Sequence, residues 1–188
     1  MPNPMNLSVD VILRFDGNFL VNDPSKVKKP NDNSDLPNHF PLLDRDGKVL
    51  LPASSIRGAL RSQAEKILRT IGGECAACYP DDKGPRKACD TVYSVSDIER
   101  KLCPACKIFG APGWRSPIEI TDFTPSLKGE GSRVDKQEFL AIDRFTGGGA
   151  DGLKFNATSQ FKPTLNGKIS VDLAKLVTAG VGGWAMPL

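Results

Sequence analysis

Residues 51–73, LPASSIRGALRSQAEKILRTIGG, hold the clearest helix in the chain and fix how the rest is read. Ser54 or Ser55 stands where a cap belongs, and Gly72-Gly73 ends the run. Ile56, Ala59, Leu60, Ile67 and Leu68 fall on one stripe, which is expected to be buried. Arg57 and Arg61, four residues apart, share the other side. A helix start with free amides, two serines, the first-turn glycine Gly58 and two arginines suits a phosphate. Gly58 also lets another backbone come close. The plainer reading is an ordinary capped helix with solvated arginines.

Working outward, residues 7–15, LSVDVILRF, alternate so that Leu7, Val9, Val11, Leu13 and Phe15 share one side of a strand. Three later stretches also read as strands: SPIEITDF (116–123), EFLAIDRF (138–145) and KISVDL (168–173). The layout is α+β, one sheet backed by few helices. Its 188 residues, 39% hydrophobic and 25% charged, suit a single domain over 1–188. A net charge of +3 is too small to announce nucleic acid by itself. No apolar run is long enough for a membrane span, and the N-terminus lacks a secretory pattern. A soluble, cytoplasmic protein with no membrane partner is expected.

Five cysteines, Cys75, Cys78, Cys89, Cys103 and Cys106, crowd between positions 75 and 106. The odd count and the clustering argue against a disulfide scaffold, and the CAAC and CPAC pairs argue for zinc over a lone redox pair. Cys103 and Cys106 supply two ligands, and two of Cys75, Cys78 and Cys89 the others. The expected set is Cys78, Cys89, Cys103 and Cys106, with Cys75 able to replace Cys78 or Cys89. A closed four-sulfur site has no open position, so this Zn²⁺ is structural. It would pin a polar insertion over 75–106 with almost no core of its own.

Two further stretches bear on chemistry. AIDRFTGGGADGLKF (141–155) breaks a strand with glycines, which lets a tip lie flat against a ligand backbone. Arg144 and Lys154 flank it, and Phe145 and Phe155 could stack on bases or join the core. The long loop at 22–39 carries Asp23, Asp32, Asp35 and the single histidine, His39.

Taken together, LPASSIRGALRSQAEKILR, LCPACKIFGAPGWRSPIEITDF, FLAIDRFTGGGADGLKF and the N-terminal strand with its loop resemble the RAMP superfamily, the backbone subunits of type III CRISPR effector complexes. The likeness is strongest to systems that fuse several such domains in one polypeptide. It implies an RRM-like (ferredoxin-like) core with a zinc-binding insertion and a β-hairpin thumb that wedges into a guide–target duplex. The implied partners are a CRISPR guide RNA, a complementary target RNA, neighbouring RAMP backbone subunits and other type III effector subunits. On this likeness Ser54, Ser55, Arg57, Gly58 and Arg61 hold guide phosphates. Asp143, Arg144, Phe145, Thr146, Gly147 and Gly148 form the RNA-contacting hairpin.

Active relatives place an aspartate in the loop before the helix, where it supports target-RNA cleavage with Mg²⁺ or another divalent cation. Asp35 is the match. His39 sits where some relatives place that aspartate, so it is a candidate general acid or base for metal-independent guide processing. An inactive subunit is the third possibility. Relatives end with a helix and a glycine-rich basic segment, whereas this sequence stops in LAKLVTAGVGGWAMPL (173–188). The domain is therefore expected to be C-terminally incomplete, with Trp184, Met186 and Leu188 as unmet core residues.

Overall fold

The structure is a computed structural model that describes residues 5–27, 37–80, 83–125 and 133–181. Asp32, Asp35, Trp184, Met186 and Leu188 lie outside the described residues. Among the described residues, seven strands and four α-helices follow in chain order. They are β1 (Asn6–Arg14), β2 (Asn18–Phe19), α1 (Ala53–Gly72), α2 (Val95–Lys101), α3 (Pro104–Phe109), β3 (Ile118–Ile120), β4 (Thr124–Pro125), β5 (Arg133–Ile142), β6 (Gly149–Phe161), β7 (Thr164–Asp172) and α4 (Leu173–Thr178). The fold is mixed α/β with two sheets. One has the order β1–β7–β3 with β4 also on β7, and the other the order β2–β6–β5. The pairs β3/β7, β4/β7, β2/β6 and β5/β6 are all antiparallel.

The chain divides into two compact units: 1–10, 52–121 and 168–188 form the first, 11–51 and 122–167 the second. The first contains the cysteine-rich segment, and its core lies there. Ala77, Cys78, Val92, Ile98, Leu102, Cys103, Ala105 and Cys106 are buried together with Leu176, Ala179 and Val181. An insertion thought to lack a core thus supplies most of one, because short apolar side chains pack directly around the sulfurs.

Helix α1 departs from the reading of its sequence in two ways. Pro52, in an extended conformation, is the N-cap residue, and no side chain caps the helix. The Pro52 carbonyl accepts from the amide of Ser55 at 3.0 Å, so both serines sit inside the first turn. The helix is also rotated from the expected orientation. Leu60, Ile67 and Ile71 are 41%, 47% and 70% exposed, while the one buried residue of the helix is Glu65. Leu68 of the expected stripe does pack against the core. The reason is that α1 faces loop carbonyls as well as hydrocarbon, and those carbonyls need donors. Strand β1 shows a similar split: Leu7 and Val9 are exposed, whereas Val11, Leu13 and Phe15 are half-buried.

The second unit is built on Phe19, Val49, Leu51, Phe123, Ala157 and Leu165, all buried. Leu51 and Phe123 exchange backbone hydrogen bonds at 3.0 and 2.9 Å. Gly167 lies under the Phe123 ring, where a Cβ would come within 2.6 Å of it. From this unit the β5–β6 hairpin extends. Its register holds from Arg133↔Phe161 to Leu140↔Lys154 and then breaks, so that Ile142 faces Gly149.

Candidate metal centre and nucleic-acid interface

The Sγ atoms of Cys78, Cys89, Cys103 and Cys106 all lie within 4.8 Å of one another. Cys78 is 3.5 Å from Cys106 and 3.7 Å from Cys103, sulfur to sulfur. A zinc tetrahedron with bonds of about 2.3 Å sets its sulfurs about 3.8 Å apart, so the donor set and spacing fit that ion. Cys75 is exposed and stands outside the group. The first CxxC is therefore not a chelating pair: Cys78 meets Cys89 and the CPAC turn instead.

Local structure explains the convergence. Cys103 is the N-cap of α3, followed by Pro104 at the first helical position, where a missing N–H costs nothing. The Cys106 amide donates to the Cys103 sulfur at 3.4 Å, and the Cys103 amide to the Cys89 sulfur at 3.3 Å. Such N–H···S bonds favour thiolates. Without a cation, however, the four sulfurs cannot all ionise. Hydrogen bonds from Cys106 and Cys89 hold the Cys103 thiol far below its ordinary value. The same bond with Cys103 drives Cys106 strongly up and pushes Cys89 up to about 11. A divalent cation among the sulfurs would favour the thiolate form of all four.

Helix α1 holds this cluster from two sides. Arg61 donates through Nε to Glu65 at 2.9 Å, through one terminal nitrogen to the Gly110 carbonyl at 3.1 Å, and through the other to Cys106 Sγ at 3.2 Å. Arg69 donates to the Cys78 carbonyl at 2.6 Å and lies 3.5 Å from the second Glu65 oxygen. The Arg69 guanidinium also stacks 3.9 Å from the centre of the Tyr79 ring. Arg57 donates to the Ile118 carbonyl at 3.0 Å. Of the residues expected to hold phosphates, Ser54, Ser55 and Gly58 are exposed, while Arg57 and Arg61 are half-buried with internal partners. Arg69 and Glu65 went unnoticed in the sequence, although the i, i+4 spacing of Arg57, Arg61, Glu65 and Arg69 marks a single face.

In the second unit, the hairpin tip is an ordered turn. Asp143 accepts from the Phe145 amide and from the Thr146 hydroxyl, each at 3.0 Å. Those two bonds, the backbone one first, hold its carboxyl below the ordinary range. The Gly147 amide donates to the Asp143 carbonyl at 2.8 Å, with Gly147 in the left-handed region at φ 67°. The Gly148 amide donates to Thr146 Oγ1 at 3.3 Å. Arg144 is exposed, and Phe145 is 100% exposed. Further along, Phe139 and Phe155 face each other across the strands, their rings stacked at 4.9 Å and 14°. His39 meets Phe155 edge-on at 6.1 Å.

His39 is fixed by its backbone, donating to the Asn156 carbonyl at 3.2 Å and accepting from the Thr158 amide at 2.9 Å. Asp23 belongs to the same neighbourhood, its amide donating to the Phe40 carbonyl at 2.8 Å. Its carboxylate accepts from the hydroxyl of Ser25 at 2.7 Å and from the Ser25 amide at 3.0 Å, which lowers its pKa. Asp35 lies outside the described residues. Among the described residues no helix is long and apolar enough to cross a membrane.

Comparison with known proteins bears on this arrangement. No curated protein matches the chain. Among solved structures, it is similar to a chain in the cryo-EM structure of the Type III-B Cmr-beta bound to cognate target RNA. The TM-score is 0.53 at 16% identity, over 98% of this chain and 52% of that one. At that identity the likeness concerns the fold, and this chain spans about half the length of its counterpart. The family model of the RAMP superfamily matches residues 24–175, a stretch that includes α1, the cysteine cluster and the hairpin. The chain belongs to the RAMP superfamily.

Proposed function

We propose that this chain is a backbone subunit, or one backbone domain of a longer fused protein, in a type III CRISPR effector complex. In this reading it has an RRM-like core, works in the cytoplasm, and contacts guide RNA, complementary target RNA and neighbouring backbone and effector subunits. The observation that carries the reading is the hairpin tip, where an ordered turn presents a wholly exposed phenylalanine beside an arginine. An aromatic ring held out on a stiff turn costs solvation and gives the fold nothing. It suits insertion against a base, with Arg144 on the adjoining phosphate. Ser54, Ser55, Arg57, Gly58 and Arg61 supply the second contact, to guide phosphates at the start of α1.

The cysteine cluster holds a structural Zn²⁺ in this account, through Cys78, Cys89, Cys103 and Cys106. A bound zinc would supply the charge that lets four thiolates coexist and would tie the 75–106 segment together.

Target cleavage is assigned to the 22–39 segment, with Asp35 offering a carboxylate oxygen to Mg²⁺ or another divalent cation. The test is cleavage of a labelled complementary RNA by the assembled complex with Mg²⁺, comparing the native chain with Asp35→Ala. Loss of one specific cut with binding intact supports an enzyme subunit. Unchanged cuts favour the second reading, an architectural subunit without catalysis. In that event His39→Ala on precursor guide RNA is the next comparison.

A further inference from the structure

Arg61 touches three things at once: a buried carboxylate, a loop carbonyl and a cluster sulfur. A zinc tetrathiolate carries two net negative charges, and three of its four cysteines here are buried. Buried charge needs compensation close by. Glu65 sits between Arg61 and Arg69, leaving this α1 ladder with one surplus positive charge beside the sulfurs. The guanidinium that touches the cluster is that of Arg61, whose planar fork reaches Cys106 and Gly110 together. Arg69 meanwhile holds the Ala77–Cys78 backbone on the opposite flank, with its two bonds to those carbonyls.

We infer that Arg61 is an outer partner of the metal centre, compensating its charge and orienting Cys106, rather than a ligand of guide phosphate. Glu65 and Arg69 are positioning residues in the same device, Glu65 aiming Arg61 and Arg69 seating Cys78. The inference rests on the reading of the cluster as a zinc site. It revises the role that family likeness gives Arg61, and leaves Ser54, Ser55, Arg57 and Gly58 as the phosphate contacts on α1.

The experiment uses the full chain loaded with zinc, and separately with cobalt, in native, Arg61→Gln, Arg61→Lys and Arg115→Gln forms. Arg115 pairs with Glu119 on the surface and serves as control. Loss of an outer partner costs a metal site about 10- to 100-fold in affinity. Chelator competition should therefore show Arg61→Gln weaker by that factor, Arg61→Lys in between, and Arg115→Gln equal to the native chain. The sulfur-to-cobalt charge-transfer band should shift in both Arg61 variants, because the N–H···S bond is altered.

If Arg61→Gln does not fold, Arg61→Lys carries the test: native affinity with an unshifted band overturns the inference. So does native metal affinity in Arg61→Gln with weaker RNA binding and a salt slope reduced by about one. A native chain that takes up neither metal overturns the zinc reading itself, and the inference with it.

Discussion

The sulfurs of Cys78 and Cys106 lie 3.5 Å apart although 28 residues separate them in the chain. Nothing covalent joins them, and all five cysteines are free thiols. With Cys89 and Cys103, Cys78 and Cys106 form a group whose sulfurs could hold a metal ion. Stripping metal from the full chain should lower its thermal midpoint and expose the buried thiols to a thiol reagent. Structural zinc contributes on the order of 10 kcal/mol in small zinc domains, so the effect should be large. Cys78→Ser and Cys103→Ser should lose bound zinc, whereas Cys75→Ser should keep a full equivalent. Loss of zinc in Cys75→Ser would place the ligand set elsewhere.

Gly58 gives a cleaner test of the α1 start. A Cβ at that position meets nothing within 4 Å, and the helix continues on both sides. Gly58→Ala should stabilise the protein by about 0.5–1 kcal/mol. If an RNA backbone lies against this turn, the same change should weaken RNA binding. Higher thermal stability with lower RNA affinity is the expected pair of results in melting and titration experiments. Unchanged affinity would remove the close approach at Gly58.

Phe145 and Phe123 make a contrasting pair. Phe145 is fully exposed, and Phe145→Ala should leave the thermal midpoint unchanged. Phe123 is 1% exposed in the core of its unit, and Phe123→Ala should cost about 3–5 kcal/mol in a denaturant titration. Gly167→Ala, which would drive a methyl group into the Phe123 ring, should also destabilise the protein.

The hairpin tip should respond to acid in one direction. Asp143 has a lowered folded-state pKa, so its contribution is present above the ordinary carboxylate value, about 3.9. It is lost as pH falls through the folded value. Protection of the Phe145 and Gly147 amides from exchange, measured by NMR relative to the intrinsic rate at each pH, should stay constant from neutral pH to about pH 4 and fall only below it. Asp143→Ala should lower that protection above the folded-state pKa and converge with the native chain below it. A midpoint at or above the ordinary carboxylate value would show that the turn bonds are weaker than described.

Much of this architecture was legible in the residues. The long helix, the β5–β6 glycine break and the cysteine crowding each have a local physical signature: periodicity, backbone freedom and ligand chemistry. What was not legible depended on partners distant in sequence. The α1 stripe was placed inward on hydrophobicity alone. Yet Gly110, Ile118, Ala77 and Cys78 present carbonyls that arginines satisfy, and those neighbours are visible only once the chain is folded. Pairing two CxxC motifs was an argument from spacing, whereas Cys75 lies in the exposed Glu74–Ala76 turn and never reaches the cluster. Likewise His39 read as a loop residue, but its backbone is bonded on both sides to β6.

The central claim is that the chain binds RNA through the hairpin tip, and salt-dependent binding of a labelled single-stranded RNA to the full chain tests it most directly. Native protein should bind with an affinity that falls steeply as salt rises. The doubly substituted Arg144→Ala, Phe145→Ala chain should bind at least about tenfold more weakly at an unchanged thermal midpoint, since stacking on one base is worth about 1–3 kcal/mol. Equal affinities for the two proteins, or no binding by the native chain, would contradict the account.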